Sequence, residues 1–281
     1  LELKKSDLEK YAADVDEKLY LAMQRAAENI KKYHEKQLRQ SFFDTDDTNK
    51  TVGMKIRPVK RAGIYVPGGS AAYPSSVLMN CIPAKVASVP EIIMTTPLRD
   101  GKIPPAVAAA ALISGVDRVF LCGGAQAIAA LAYGTQTIPQ VDVIAGPGNI
   151  YVATAKRLVY GTVNIDMIAG PSEVMTVADK SANPKYVAAD LLSQAEHDAL
   201  ASSVLITDSE KLAKETAKEL SLQLSKLERQ SIAGKSVENY GAAIICENMD
   251  EAFSLANEIA PEHMEILTEN PFADLSKVRN A

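Results

Sequence analysis

The first residues with usable chemistry are Gln194 and His197, three positions apart in the segment S-Q-A-E-H. This segment closes an amphipathic helix that the sequence predicts over residues 186–200. Because residues i and i+3 project from one face of a helix, an amide oxygen and an imidazole nitrogen would point the same way. Such a pair supplies half of a metal site. A solvated or locally hydrogen-bonded helix face has the same spacing, so both interpretations stay open.

A second candidate is the dipeptide Glu262-His263 in A-P-E-H-M-E, which follows a predicted helix over residues 250–259. Histidine titrates near neutral pH and a carboxylate can activate water, so the two groups together can transfer protons. Adjacent residues on a helix point apart, but at a break between helix and loop both can enter one pocket. The alternative is a surface dipeptide without a function.

Three glycine-rich turns follow predicted strands: P-G-G-S at 67–70, G-G-A-Q at 123–126 and G-P-G-N at 146–149. Glycine allows the backbone to approach a ligand, and the helix after each turn offers free N–H groups to an anion. None of the three has the G-x-G-x-x-G or the P-loop spacing. A nucleotide site and ordinary tight turns therefore both remain possible.

Strands and helices alternate from residue 62 to residue 259, which predicts βαβ units and mostly parallel sheets in two α/β runs. Before them, the capping box S-D-L-E at 6–9 opens a charged pattern that predicts one long helical arm up to Gln40. The segment D-V-I-A-G-P at 142–147 returns as D-M-I-A-G-P at 166–171. Two explanations of this repeat remain open: a common pattern in which Gly-Pro ends a strand, or a duplicated unit.

Composition limits the function classes. The 281 residues are 47% hydrophobic and carry a net charge of -5, which argues against a nucleic-acid partner. There is no apolar run of membrane-spanning length and no signal-peptide pattern. Cys81, Cys122 and Cys246 are widely spaced in apolar sequence, so we expect reduced, buried thiols. The sequence predicts a cytoplasmic protein without membrane or nucleic-acid partners.

Several segments, taken together and in this order, resemble the histidinol dehydrogenases. They run from residue 61 to residue 266 and are R-A-G-I-Y-V-P-G-G-S, C-G-G-A-Q-A-I-A-A-L-A-Y-G-T, A-G-P-G-N, I-D-M-I-A-G-P-S-E-V, L-L-S-Q-A-E-H-D and A-P-E-H-M-E. The resemblance implies two incompletely Rossmann-like α/β domains, in an intertwined homodimer. We expect one discontinuous domain over 1–64 and 171–281, including the helical arm, and a second over 65–170.

The resemblance also implies an activity, the oxidation of L-histidinol to L-histidine through the aldehyde in two NAD-dependent steps, with a bound zinc ion. By motif, Gln194 and His197 correspond to two of the family's zinc ligands, which also contact the substrate. Glu262 and His263 correspond to its proton-transfer pair, and Ser172 to a further substrate contact. The residues that match its NAD site are Tyr65, Gln126 and Asn149. His263 would be the general base and a substrate contact, and Glu262 would activate water.

One departure from the family concerns the zinc ion. Its other two ligands, an aspartate and a histidine, lie downstream of the Glu-His pair, as does a glutamate that contacts the substrate, and the sequence stops at Ala281 before them. We therefore expect a truncated member with an incomplete zinc site. Two alternatives remain: another NAD-linked alcohol or aldehyde dehydrogenase with Cys122 as nucleophile, and a non-catalytic protein that binds an amine or imidazole.

Overall fold

The computed structural model describes residues 1–46, 48–68, 72–98, 101–168 and 170–281. The chain forms two compact units, residues 1–169 and residues 170–281. Some residues of the predicted turns lie outside the described ranges: Asp47, Gly69, Ser70 and Ala169. Within those ranges, no helix combines the length and the apolar composition that a bilayer span requires.

The first unit contains a six-stranded sheet and a separate hairpin. Its strands are β1 (Glu2–Leu3), β2 (Phe42–Thr45), β3 (Thr51–Met54), β4 (Arg61–Tyr65), β5 (Glu91–Thr96), β6 (Arg118–Leu121), β7 (Val143–Ala145) and β8 (Asn164–Ile165). Its helices are α1 (Lys5–Ala12), α2 (Glu17–Glu35), α3 (Pro74–Val86), α4 (Pro105–Ser114), α5 (Gly124–Tyr133) and α6 (Ile150–Val159). The strands β2 and β3 pair with each other in the hairpin.

The order of the six-stranded sheet is β1-β6-β5-β4-β7-β8, and every pair except β1 with β6 is parallel. The chain moves from β4 to β5 and β6 on one side, and then returns to β7 and β8 on the other. Ile64, Ile93 and Ile144 in its central strands are fully buried, as expected for a parallel sheet covered on both faces. Because the direction changes at β4, the carboxyl ends of β4 and β7 are the position where open α/β sheets commonly bind ligands.

The second unit contains a four-stranded parallel sheet of order β11-β10-β9-β12. Its strands are β9 (Glu173–Ala178), β10 (Ser202–Thr207), β11 (Gly241–Ile245) and β12 (His263–Leu267). Its helices are α7 (Pro184–Ala195), α8 (Glu210–Leu224), α9 (Gln230–Tyr240), α10 (Met249–Ile259) and α11 (Pro271–Asp274), and a 3-10 turn follows at Leu275–Lys277.

The predicted α/β class with mostly parallel sheets is confirmed, but several elements differ from the prediction. The strand β12 and the helix α9 were not predicted. The arm is two helices instead of one, because Asp16 caps the second helix by accepting a hydrogen bond from the N–H of Leu19 at 3.1 Å. At the start of α1, the carboxylate that binds a backbone N–H is Asp7, not Glu9, with Lys4 as the donor at 3.0 Å.

The division into units also differs from the sequence expectation. Residues 1–64 were expected to share a domain with residues 171–281, whereas the structure groups them with residues 65–169. The reason is strand pairing: β1 pairs with β6, and β4 pairs with both β5 and β7. Backbone hydrogen bonds therefore hold both ends of segment 1–64 in the first sheet.

Candidate active site

The pair Glu262 and His263 lies where α10 gives way to β12. Ala260 ends the helix in a left-handed conformation with φ 53°, and His263 is the first residue of the strand. His263 Nε2 lies 3.7 Å from Glu262 Oε1, and these side chains are 59% and 37% exposed. Glu262 Oε2 accepts a hydrogen bond from the N–H of Glu173 at 3.3 Å. The carboxylate is thus fixed while the imidazole remains accessible to a molecule from solvent.

Ser172 lies at the entrance to the neighbouring strand β9. Residue Val174, two positions later, pairs in register with His263. The carbonyl of Ser172 accepts a hydrogen bond from the N–H of Ser202 at 3.1 Å, which holds the approach to β9 against the start of β10. Ser172 and His263 are therefore at the same edge of the second sheet.

Gln194 and His197 do not share one helix as predicted. The helix α7 ends at Ala195, and His197 lies in the turn that follows. The N–H of His197 donates a hydrogen bond to the carbonyl of Gln194 at 3.0 Å, so a single turn follows directly after the helix. Gln194 is 8% exposed, whereas His197 is exposed. The prediction of one helical face is wrong for His197, because the helix stops before it.

Two carboxyl groups connect α7 with β12. Glu265 Oε2 accepts a hydrogen bond from Thr176 Oγ1 at 3.4 Å, and the Glu265 carboxyl also meets that of Asp190. Burial and the nearby Asp190 raise the pKa of Glu265. Gln194 lies one helical turn after Asp190, and His263 lies two residues before Glu265 on the same strand face. This contact therefore brings the Gln194 turn close to His263.

All these candidates gather at the amino edge of the second sheet. Ser172 precedes β9, His197 precedes β10, and His263 starts β12, and the three strands are parallel. Open α/β sheets commonly bind ligands beyond the carboxyl ends of their strands. This cluster lies at the opposite edge, because Gln194 and His197 lie at the end of α7 and His263 follows α10.

In the first unit, by contrast, the candidate residues lie at the carboxyl ends of strands. Tyr65 ends β4, Gln126 lies in the first turn of α5, and Asn149 is the residue before α6. Tyr65 is 4% exposed, and its hydroxyl accepts a hydrogen bond from the N–H of Gly124 at 3.1 Å. The structure thus places the three predicted cofactor residues after β4, β6 and β7, at the carboxyl edge of the first sheet.

The backbone at this edge fits an anionic dinucleotide. Gly146 has φ +121°, and a Cβ atom there would overlap the carbonyl oxygen of Tyr65, so only glycine permits this approach of β7 to β4. The start of α5 has no side-chain cap, which leaves N–H groups for a phosphate. At α6 the side chain of Asn149 accepts hydrogen bonds from Tyr151 and Val152 instead.

A family model described as histidinol dehydrogenase matches residues 1–281. The chain belongs to the histidinol dehydrogenase family. It is 52% identical to a histidinol dehydrogenase of Listeria monocytogenes over 281 residues, which are 100% of this chain and 66% of that protein. The resemblance that the motifs indicated is therefore confirmed.

Solved structures agree. The crystal structure of histidinol dehydrogenase from Elizabethkingia anophelis matches with a TM-score of 0.96 and 38% identity, over 100% of this chain and 65% of that one. An NAD-dependent aldehyde dehydrogenase from Sinorhizobium meliloti has a TM-score of 0.57 at 15% identity, over 98% of this chain and 72% of that one, which shows a shared fold alone. The chain spans less than two thirds of the two histidinol dehydrogenases, 66% and 65% of their lengths.

The described part of this family member does not form a complete zinc site. In that part, no group of three or more His, Cys, Asp or Glu side chains is arranged to hold a metal ion. Gln194 and His197 supply at most two ligands, and a zinc site needs three or four from the protein.

The cysteines of the family member differ in their surroundings. Burial raises the pKa of the Cys81 thiol to about 12. Burial, with the nearby Glu251 and Asp208, also raises the pKa of Cys246. Both are poor nucleophiles at neutral pH. Cys122 is only half-buried and follows β6. It therefore remains the candidate nucleophile of the alternative hypothesis, an alcohol or aldehyde dehydrogenase with a catalytic cysteine.

Sequence reasoning missed Asp190 and Glu265. Asp190 stands four residues before Gln194, the spacing that puts two side chains on one helix face, so a search for polar neighbours of Gln194 would have found it. Glu265 has no such signal, because its position follows from the unpredicted strand β12.

We expect Glu265→Gln to stabilise the chain at neutral pH. A raised pKa means that the folded chain holds the Glu265 proton more tightly than the unfolded chain does. Stability is therefore highest below the unfolded pKa and falls as the pH rises through the folded pKa. The variant lacks this loss, so its Tm should exceed that of the unaltered chain at pH 7 and match it near pH 4.

Differential scanning calorimetry between pH 4 and pH 8 measures this difference. Glu238→Gln is the control, because Glu238 is exposed and loses the same charge. A lower Tm for Glu265→Gln at pH 7, or a larger gain at pH 4 than at pH 7, would contradict the assignment.

Proposed function

We propose that the whole protein oxidises L-histidinol to L-histidine, the end of histidine biosynthesis, in two NAD-dependent steps through the aldehyde. The observation that carries the proposal is the contact of 3.7 Å between His263 Nε2 and Glu262 Oε1. This pair lies at the same sheet edge as Ser172, Gln194 and His197, which correspond to the substrate-binding residues of the family. Membership of the family supports the choice of substrate.

The residues of this chain move protons in both steps. NAD, when bound, accepts the hydride. In the first oxidation the hydroxyl proton of the alcohol passes to His263 Nε2, and the carbinol carbon loses a hydride, which gives the aldehyde. Water then adds to the aldehyde: Glu262 takes a proton from the water, and the aldehyde oxygen receives the proton that His263 holds, which gives the hydrate and frees His263 as a base. The hydrate loses a proton to His263 and a hydride from carbon, which gives the carboxylic acid.

Both bases can return their protons to bulk water, because both side chains are exposed in part. Two hydrides leave each histidinol molecule, so two NADH form per substrate. Tyr65, Gln126 and Asn149 are the residues that we propose to hold NAD at the carboxyl edge of the first sheet. Gln194 and His197 are two proposed ligands of the zinc ion, and the resemblance places the other two outside this chain.

We propose a cytoplasmic location for the protein. The cysteines Cys81, Cys122 and Cys246 are free in the structure. Thiols stay reduced in the cytoplasm, whereas an oxidising compartment would favour disulfides.

The yield of NADH per histidinol tests the reaction. In a protein of the length of its relatives, we expect two NADH per L-histidinol, followed by absorbance at 340 nm. His263→Asn should lower kcat by about 10²–10⁴-fold, the usual contribution of a general base. Glu262→Gln should lower the yield towards one NADH and let the aldehyde accumulate, because the water is no longer activated.

Cys122→Ser is the matched control and should retain the full yield. Loss of NADH formation in Cys122→Ser, with His263→Asn unaffected, would favour an aldehyde dehydrogenase with a cysteine nucleophile. Binding of L-histidinol without any NADH would favour the non-catalytic binding protein.

For the 281-residue chain alone, we expect weak, substoichiometric zinc binding. Gln194 and His197 cannot complete a tetrahedral site, and the part of the chain that the structure describes holds no cluster of three or more His, Cys, Asp or Glu ligands. A competition titration with a chromogenic chelator measures this affinity. Tight binding of one zinc ion per chain, lost in His197→Ala, would contradict the expectation.

We also propose that the protein is a homodimer, as the resemblance implies. The hairpin of β2 and β3 exposes apolar side chains: Phe42 is 58% exposed, Phe43 65%, Val52 72% and Met54 52%. Phe42 stands opposite Met54 in the register. A free two-stranded hairpin is marginally stable in water, so a second subunit that covers these side chains would stabilise it.

Light scattering coupled to size exclusion tests the dimer. We expect the unaltered chain at about twice its mass of 30.1 kDa, and Phe42→Ser/Met54→Ser at the mass of one chain, because the interface loses its apolar contacts. Leu158→Ser is the control, because Leu158 is 74% exposed and lies on α6. An unchanged dimer in the hairpin variant would exclude the hairpin from the interface.

A further inference from the structure

Lys156 is a charged residue in a buried position. It lies on α6 with its side chain 3% exposed, among the buried residues Val152, Ala153 and Val159 of the same helix. Removing an ammonium group from water is unfavourable unless partners compensate it. Packing alone therefore does not explain a lysine here, because an apolar side chain could fill the same space without the cost of removing a charge from water.

The partners of Lys156 lie around one residue, Gly146. The Lys156 ammonium forms an ion pair with Asp166 and donates a hydrogen bond to the carbonyl of Gly146 at 3.1 Å. The other carboxylate oxygen of Asp166 accepts a hydrogen bond from the N–H of Gly146 at 2.7 Å. The two opposite charges thus hold both backbone polar groups of Gly146 at once.

Gly146 lies at the carboxyl ends of β4 and β7, where the order of the sheet changes direction. It follows β7, and its φ of +121° brings the chain so close to the carbonyl of Tyr65, at the end of β4, that a Cβ atom would not fit. Asn149, three residues later, starts α6. The order of the sheet changes direction between β4 and β7, which is the position where open α/β sheets bind dinucleotides.

We propose that Lys156 and Asp166 are positioning residues of the NAD site, which hold the loop 146–149 in the shape that binds the cofactor. The inference rests on the proposed use of NAD. An ion pair that served stability alone would need only its two side chains. This pair also binds both backbone polar groups of Gly146, whose φ of +121° and closeness to the carbonyl of Tyr65 only glycine permits. Asp166 makes one further backbone contact, with the N–H of Met167.

Binding of NADH to the 281-residue chain, followed by the fluorescence of the reduced nicotinamide, tests this role without turnover. We expect Lys156→Met to weaken NADH binding by about ten- to a hundredfold, the effect of a displacement of about 1 Å in a positioned group. Arg157→Met is the matched control, because Arg157 is the next residue of α6, is exposed, and loses the same charge. It should bind NADH within about twofold of the unaltered chain.

A second variant separates positioning from folding. Lys156→Met/Asp166→Leu replaces the ion pair by apolar side chains, an exchange that often preserves or increases stability. We expect a Tm close to that of the unaltered chain, faster amide hydrogen exchange over residues 146–149, and NADH binding as weak as in Lys156→Met. Recovery of NADH affinity along with the Tm would show that the pair only stabilises the fold, and would overturn the inference.

The outcomes distinguish this inference from the proposed function. If the unaltered chain and Lys156→Met bind NADH equally well, the positioning role is wrong and the proposed use of NAD stands. If the unaltered chain binds no NADH, the assignment of the cofactor to this edge is wrong, and the inference falls with it.

Discussion

Parallel strand pairing is the constraint on which the arrangement of both candidate sites depends. In a parallel sheet all strands start at one edge and end at the other, so residues far apart in sequence reach one place by being near a strand end. Tyr65 and Asn149 meet at the carboxyl edge of the first sheet for this reason. Ser172 and His263 meet at the amino edge of the second, through the register of β9 and β12.

The alternation of strands and helices was readable from the sequence, because it depends on local signals. Glycine and proline mark the turns: Pro105 is the first residue of α4, and Gly115 follows its end. The sequence predicted a glycine turn at Gly146 so that a ligand could approach, whereas in the structure the absent side chain makes room for the carbonyl of Tyr65. The candidate residues of the first unit follow from these turns, so their positions after strands were predictable too.

What the sequence could not supply depends on contacts between distant segments. The strand β12 is five residues long and contains Glu265, whose carboxyl contacts Thr176 and Asp190 of two other elements. Nothing local to residues 263–267 indicates that pairing. Contacts between distant segments also determine where α7 ends, before His197. They likewise determine that β1 and β4 pair within the first sheet. The predicted domain division depended on such pairings and differed for that reason.

The two edges also differ in electrostatics, and the difference suits two kinds of ligand. At the carboxyl edge of the first sheet helices begin, and the positive ends of their dipoles favour the phosphates of a dinucleotide. At the amino edge of the second sheet α7 ends, with no basic side chain in its last turn. Glu173 and Glu262 lie at the same edge, where Glu262 accepts a hydrogen bond from the N–H of Glu173. The negative end of the helix and these carboxylates favour a cation. The amine of an amino alcohol is such a cation at neutral pH, so the charge of the proposed substrate matches the edge on which the proposed proton-transfer pair stands.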